Sequence, residues 1–195
     1  AGCPIIVLLE SESKTAVIPA MRAGASQVVL LPLESDDFRS ALESIGAQYG
    51  YSLQAATVIA VAGATGGCGA TTLALNLAAE IAFLKRVPTL LVELSLKMGM
   101  LATYLDVTPR YTTHELLKDI EEMDLDTLKR VVTSIDKNFD ILPGPHETIE
   151  AMEVTPHDVL RLIDIARRLA KVVVLDVPCT FDDVFFETLA AANQI

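Results

Sequence analysis

Apolar and polar positions along the chain follow two rhythms. Short unbroken apolar runs recur at residues 5–9, 28–31, 57–62, 89–94, 139–142 and 171–177, a pattern that suits strands buried on both faces. Between them, apolar residues return every three or four positions, the spacing of helices with one buried face. The first half-turn of the pattern is strand, helix over 13–23 closed by Gly24, strand closed by Pro32, then a helix opened by "ESDD", whose acids suit the positive end of a helix dipole. A more polar stretch at 48–56 marks a boundary. Beyond it the pattern predicts a strand over 57–62, a helix over 70–84 and a strand over 89–94. Short helices follow over 101–105, 113–120 and 126–134, then a strand in "FDILPGP" ended by Pro143 and Gly144. Thr155 followed by Pro156 is a helix start, because threonine caps and proline fits the first helical position. That helix runs to about residue 169. "KVVVLDVP" is a buried strand ending near Asp176, residues 181–192 are helical, and "NQI" opens another strand. Strands alternating with helices predict an α/β fold with a parallel, doubly wound sheet and ligands at the carboxyl ends of its strands.

Composition adds limits. About half of the 195 residues are hydrophobic, only 5% are aromatic and there is no Trp. The 15 Lys and Arg against 26 Asp and Glu leave a net charge of −11, which argues against broad contact with nucleic-acid phosphates or anionic lipid. No apolar run approaches the roughly 20 residues of a membrane helix. The start of the chain lacks a basic n-region and also lacks Met; "PIIVLLE" reads as the middle of a domain. Cys3, Cys68 and Cys179 have no metal-ligand spacing and suit a reducing cytoplasm. His114, His146 and His157 are scattered and predict no metal site.

The candidate chemistry lies in "AGATGGCGATT", residues 62–72, between a predicted strand and a predicted helix. A strand, a glycine-rich turn and a helix start converge backbone N–H groups on one point while the helix dipole favours negative charge. Thr71 stands where a loop hydroxyl would reach Mg²⁺. The lysine-bearing pattern G-x-x-x-x-G-K-[ST] is not met, since Ala64 holds its first glycine position and Ala70 its lysine position. A glycine turn that serves packing alone would also fit these residues. Asp176 and Glu93, each at the end of a predicted strand, raise the other reading: Asp176 as a carboxylate that holds Mg²⁺ through water, Glu93 as a candidate catalytic acid.

With these residues in hand, "GATGGCGATTLALNLAAEIA", "PTLLVELSLKMGMLATYLDVTPRYTTHELL" and "KVVVLDVPCTFDD" resemble the ParA/MinD ATPases over residues 57–195. More narrowly they resemble the CpaE/TadZ branch, associated with assembly of tight-adherence (Flp) pili. The segment "PIIVLLESESKTAVIPAMRAGASQVVLLPLESDDFRSAL" is similar to the last two strand-helix units of a response-regulator receiver. The resemblance implies a flavodoxin-like pseudo-receiver part over 1–47, a linker over 48–56 and a deviant P-loop domain over 57–195 that continues in the family past the end of this chain. It implies ATP held by Ala64, Thr65, Gly66, Gly67, Cys68, Gly69, Ala70, Thr71 and Thr72, and Mg²⁺ held by Thr71 and Asp176.

Three departures bear on activity. The family's signature lysine, which reaches across a dimer, is Thr65 here; its P-loop lysine is Ala70; its second strand-end acid is Ser95 beside Glu93. In the receiver part, Leu9 and Leu31 stand where a Ser/Thr and a Lys are usual, so this part is not expected to be phosphorylated. The expectation is a cytoplasmic, ATP-binding localisation or assembly factor, drawn to the inner face of the membrane or a cell pole. It forms a homodimer stabilised by nucleotide, meets pilus and secretion proteins, and hydrolyses ATP slowly or not at all. The alternatives are an active ParA/MinD-type ATPase, with Lys97 or a partner supplying a cation, and a scaffold that binds no nucleotide.

Overall fold

The computed structural model describes residues 4–10, 14–48, 56–146 and 154–195. Its internal contacts divide the chain into two units, Ala1–Gln54 and Ala55–Ile195. The division falls inside the 48–56 segment, of which residues 49–55 lie outside the described residues.

The first unit holds β1 (Ile6–Leu9), α1 (Lys14–Arg22), β2 (Gln27–Leu30) and α2 (Ser35–Gln48), with β1 and β2 parallel and in register from Ile6↔Gln27 to Leu9↔Leu30. Asp36 and Asp37 lie in the first turn of α2, where the helix dipole favours them. Val29, Ala25, Ala41 and Ile45 are its buried apolar residues.

The second unit is a three-layer α/β structure. Its elements are β3 (Thr57–Ala62), α3 (Ala70–Leu84), β4 (Thr89–Glu93), α4 (Leu101–Tyr104), α5 (Thr113–Lys118), a 3-10 turn (Ile120–Glu122), α6 (Leu125–Val131), β5 (Thr133–Asp136), β6 (Phe139–Leu142), α7 (Pro156–Leu169), β7 (Val172–Val177) and α8 (Asp183–Ala191). The sheet order is β3-β7-β4-β6-β5, parallel except for β5, which pairs antiparallel with β6. Gln194 adds a parallel bridge to Ile59 beside β3, where "NQI" was expected to open a strand.

Alternation along each strand sorts the core onto two faces. Val61, Leu91, Val174 and Ile141 face α3, whose Ala74, Ala78 and Ala82 are fully buried and let the helix lie close to the sheet. Val58, Leu90, Val92, Val173 and Leu175 face the layer that holds α5, α7 and α8, through Leu116, Leu117, Leu162, Ile163 and Phe185. Each such Leu or Ile taken out of water contributes about 1.5–3 kcal/mol.

Three expectations are corrected. Ser134, expected in a helix over 126–134, lies in β5: α6 stops at Val131 and the chain turns back through Lys137 and Asn138 to pair with β6. That hairpin adds one antiparallel edge strand to the parallel sheet that was expected. The helix expected over 113–120 ends at Lys118 and gives way to the 3-10 turn. The last helix begins at Asp183, not 181, because the Asp182 side chain accepts from the Phe185 N–H and so caps it. Phe181, just before the cap, has φ +53°.

Candidate functional site

The loop from Gly63 to Gly69 leaves the carboxyl end of β3 and turns into α3. Gly67 and Gly69 sit at φ +76° and +89°, in the left-handed region that side chains disfavour, and Gly69 is the N-cap of α3. This helix start stands apart chemically. Thr112 caps α5, Asp124 caps α6, Thr155 caps α7 and Asp182 caps α8, each with a side-chain acceptor. At α3 no side chain accepts from the first turn and no acid lies in it. Its leading N–H groups therefore point at the loop's concave side without an acceptor from a cap, the arrangement that receives an anion.

Strand order brings the acids alongside. β7 lies between β3 and β4, so Asp176 pairs in register with Val61 on one side and Glu93 on the other. Both acids have the parity of Val174 and Leu91, which puts them on the face that carries α3. Their surroundings differ. Asp176 is 3% exposed and its Oδ2 has no hydrogen-bond partner. Burial pushes its carboxyl up to about 6; a hydrogen bond from the Thr71 side chain works against this, and the nearby Glu93 adds to it. Glu93, 1% exposed, has both oxygens partnered: Oε1 accepts from the Met100 N–H at 2.6 Å, and Oε2 from the N–H groups of Gly144 at 2.8 Å and Leu101 at 3.3 Å. Glu93, the sequence's candidate catalytic acid, is thus the cap of α4 and the tie between the loops after β4 and β6. It is buried and does not line the cavity that opens over the loop.

A cavity of about 390 Å³ opens over the loop. Loop residues Gly63, Thr65, Gly66, Gly67, Cys68 and Gly69 line it with Ala70, Thr71 and Thr72 from α3. Asp176, Val177, Pro178 and Cys179 form the β7 wall, and Ser95 and Tyr104 form the β4 wall. The sequence-selected loop residues therefore share one cavity with Thr71 and Asp176; Ala64 is exposed and outside its lining. Among the described residues no Lys, Arg or His lines it, and Lys97, the suggested substitute cation, is exposed and not part of the wall. Among the described residues no group of three or more His, Cys, Asp and Glu could hold a metal. A carboxylate and a hydroxyl, Asp176 and Thr71, are oxygen donors of the kind a hard divalent cation takes when phosphate and water complete its shell.

Sequence reading missed Tyr104, which lies in a predicted helix and carries no local signal of a site. It also missed Gly99 and Gly144. A Cβ on Gly99 would stand 2.5 Å from Glu93 Oε2 and 2.7 Å from the Gly144 Cα, so the two loops touch backbone to backbone. His157, outside this site, pairs with Glu121 at 3.1 Å.

No protein-family model matches the chain, and no curated protein matches it in sequence. Solved structures do. A ParA family ATPase from Chlorobium tepidum superposes with a TM-score of 0.62 at 25% identity, over 72% of this chain and 58% of that one. The fold is that of the ParA/MinD-type P-loop ATPases. The septum site-determining protein MinD of Pyrococcus horikoshii, solved with Mg-ADP, gives 0.58 at 20% identity over 70% of this chain and 55% of its own. Cobyrinic acid a,c-diamide synthase from Mycobacterium smegmatis, with bound ADP and magnesium, gives 0.57 at 23% over 70% and 57%. The chain spans a little over half the length of these ParA/MinD-type structures. Among the described residues no helix is long and apolar enough to cross a membrane.

Proposed function

We propose that the second unit binds ATP with Mg²⁺ and uses it to stabilise an assembly, with hydrolysis slow or absent. One observation carries this reading: the uncapped start of α3, under two left-handed glycines, shares a cavity with a buried Asp176 oxygen that has no partner. A phosphate would accept from the helix's free N–H groups, and a magnesium ion bound with it would be held by Thr71 and Asp176. Such an ion would neutralise phosphate charge and relieve the unpartnered carboxyl. The structures solved with Mg-ADP in relatives of this fold support the same ligand class.

The case against turnover rests on what lines the cavity. A charge-assisted hydrogen bond is worth roughly 1.5–3 kcal/mol, so binding survives the loss of one lysine. A cation that meets charge as it develops on the transferring phosphoryl group is worth about 10³–10⁵ in rate, and among the described residues no cationic side chain lines this cavity. The acid at the end of β4 is meanwhile committed to backbone N–H groups. In the finer reading the protein is a CpaE/TadZ-type factor of a tight-adherence pilus and secretion machine, acting in the cytoplasm as a nucleotide-stabilised homodimer, with a pseudo-receiver unit at residues 1–47.

Calorimetric titration with ATP, with and without Mg²⁺, tests the binding, and phosphate release tests the rest. Binding that requires Mg²⁺ with negligible release is the expected result. No heat of binding would make the protein a scaffold without nucleotide; turnover near one per second would make it an active ATPase.

A further inference from the structure

We propose that Tyr104 contacts the outermost phosphoryl group of the bound nucleotide, its phenolic O–H and the hydroxyls of Ser95 and Thr65 forming a neutral donor set in place of cations. This rests on the ATP-binding reading above. The order of the sheet supports it. The anion cradle follows β3, the Thr71–Asp176 pair lies beside β7, and Ser95 and Tyr104 follow β4, the next strand across. A phosphate chain that started in the cradle and ran across the sheet past a cation held by Thr71 and Asp176 would meet the β4 wall with its far end.

Two features fit Tyr104 to this task. Its position is set from within the core: Glu93 accepts from the Met100 and Leu101 N–H groups and so pins the first turn of α4, the helix that Tyr104 ends. Its hydroxyl is free to take a ligand, for among the described residues it has no hydrogen-bond partner, and the side chain is 51% exposed while lining the cavity. A phenol donates one hydrogen bond without carrying charge. Such a contact holds a terminal phosphoryl group and recognises it, yet adds no positive charge to stabilise its transfer. The same substitution of hydroxyls for cations would then account for both retained binding and weak turnover.

Calorimetric titration of the unsubstituted protein and of Tyr104→Phe with Mg-ATP and with Mg-ADP tests this, with the melting temperature followed as a check on folding. The Phe variant keeps the ring, so its melting temperature should match. Its Mg-ATP affinity should fall about three- to tenfold, the worth of one neutral hydrogen bond, while its Mg-ADP affinity stays within twofold. Equal Mg-ATP affinity in the two proteins overturns the role of Tyr104 and leaves the ATP-binding reading standing. Equal losses for both nucleotides overturn the assignment to the outermost group. Failure of the unsubstituted protein to bind Mg-ATP overturns the ATP-binding reading, and this one with it.

Discussion

Glu93 and Asp176 are register partners on neighbouring parallel strands, on the same face of the sheet, yet one carboxyl has both oxygens partnered and the other does not. Glu93 accepts three backbone N–H groups; Asp176 keeps Oδ2 buried and without a partner. A buried polar atom left unmatched costs free energy, so a structure that keeps one needs a compensating use for it. The partnered acid holds α4 behind the wall of the site, and Asp176 lines the cavity itself.

Replacing Glu93 by Ala should therefore act on stability first. It would leave the N–H groups of Met100, Leu101 and Gly144 without their acceptor, at roughly 1–3 kcal/mol for each that water cannot reach. A loss of at least about 3 kcal/mol in urea unfolding is expected. A Glu93→Ala variant with normal stability would refute this structural role.

Asp176 sets a pH dependence with a definite sign. Its folded-state pKa is raised from 3.8 to about 6, chiefly by burial. A raised acid adds stability that is full below pH 4 and is lost as pH climbs through 6, about 3 kcal/mol over that window. Asp140, raised by burial as well, slopes the same way, so the informative quantity is a difference. Without nucleotide or Mg²⁺, Asp176→Asn should flatten the decline between pH 4 and 6 relative to the unsubstituted protein. Parallel stability curves for the two proteins would refute the assignment.

The contact of Gly99 with Gly144 leaves no room for a methyl group. A Cβ on Gly99 meets the Gly144 Cα at 2.7 Å, and one on Gly144 meets the Ser95 carbonyl oxygen at 2.5 Å, backbone atoms in both cases and not the ends of flexible side chains. Either Gly→Ala substitution should cost about 3 kcal/mol. Gly66→Ala, where nothing lies within 4 Å and φ is not positive, is the matched control and should melt close to the unsubstituted protein.

Ala70→Lys places a cation in a cavity lined by none. It should tighten Mg-ATP binding by roughly 10- to 150-fold, the worth of one charge-assisted hydrogen bond, and make that binding more sensitive to salt. Calorimetry at two ionic strengths would show it. Unchanged affinity would mean that the loop does not cradle phosphate.

Much of this was legible along the chain because it depends on neighbours in sequence. The apolar run 57–62, the glycine loop and the helix from Ala70 to Leu84 stand where the pattern put them, since strand burial, left-handed glycine turns and helix periodicity are local properties. The Thr155-Pro156 start of α7 is likewise local, a cap closed by Asp158 three residues on. Ser134 was misread for the opposite reason: its strand exists only because β6 offers a partner edge, and pairing overrides weak helical spacing.

The roles of the two acids belong to the tertiary structure. In sequence Glu93 and Asp176 look alike, each an acid closing an apolar run. What separates them is which backbone groups the folded chain brings near: the loops after β4 and β6 fold over Glu93 and donate to both its oxygens, while among the described residues no group hydrogen-bonds Asp176 Oδ2. Tyr104 joins the cavity on the same grounds, placed by a helix that Glu93 caps and by a strand order that sets β7 between β3 and β4. Local sequence chose the cradle, because backbone conformation is decided over a few residues. The fold chose what stands around it, because long-range pairing alone decides which side chains meet.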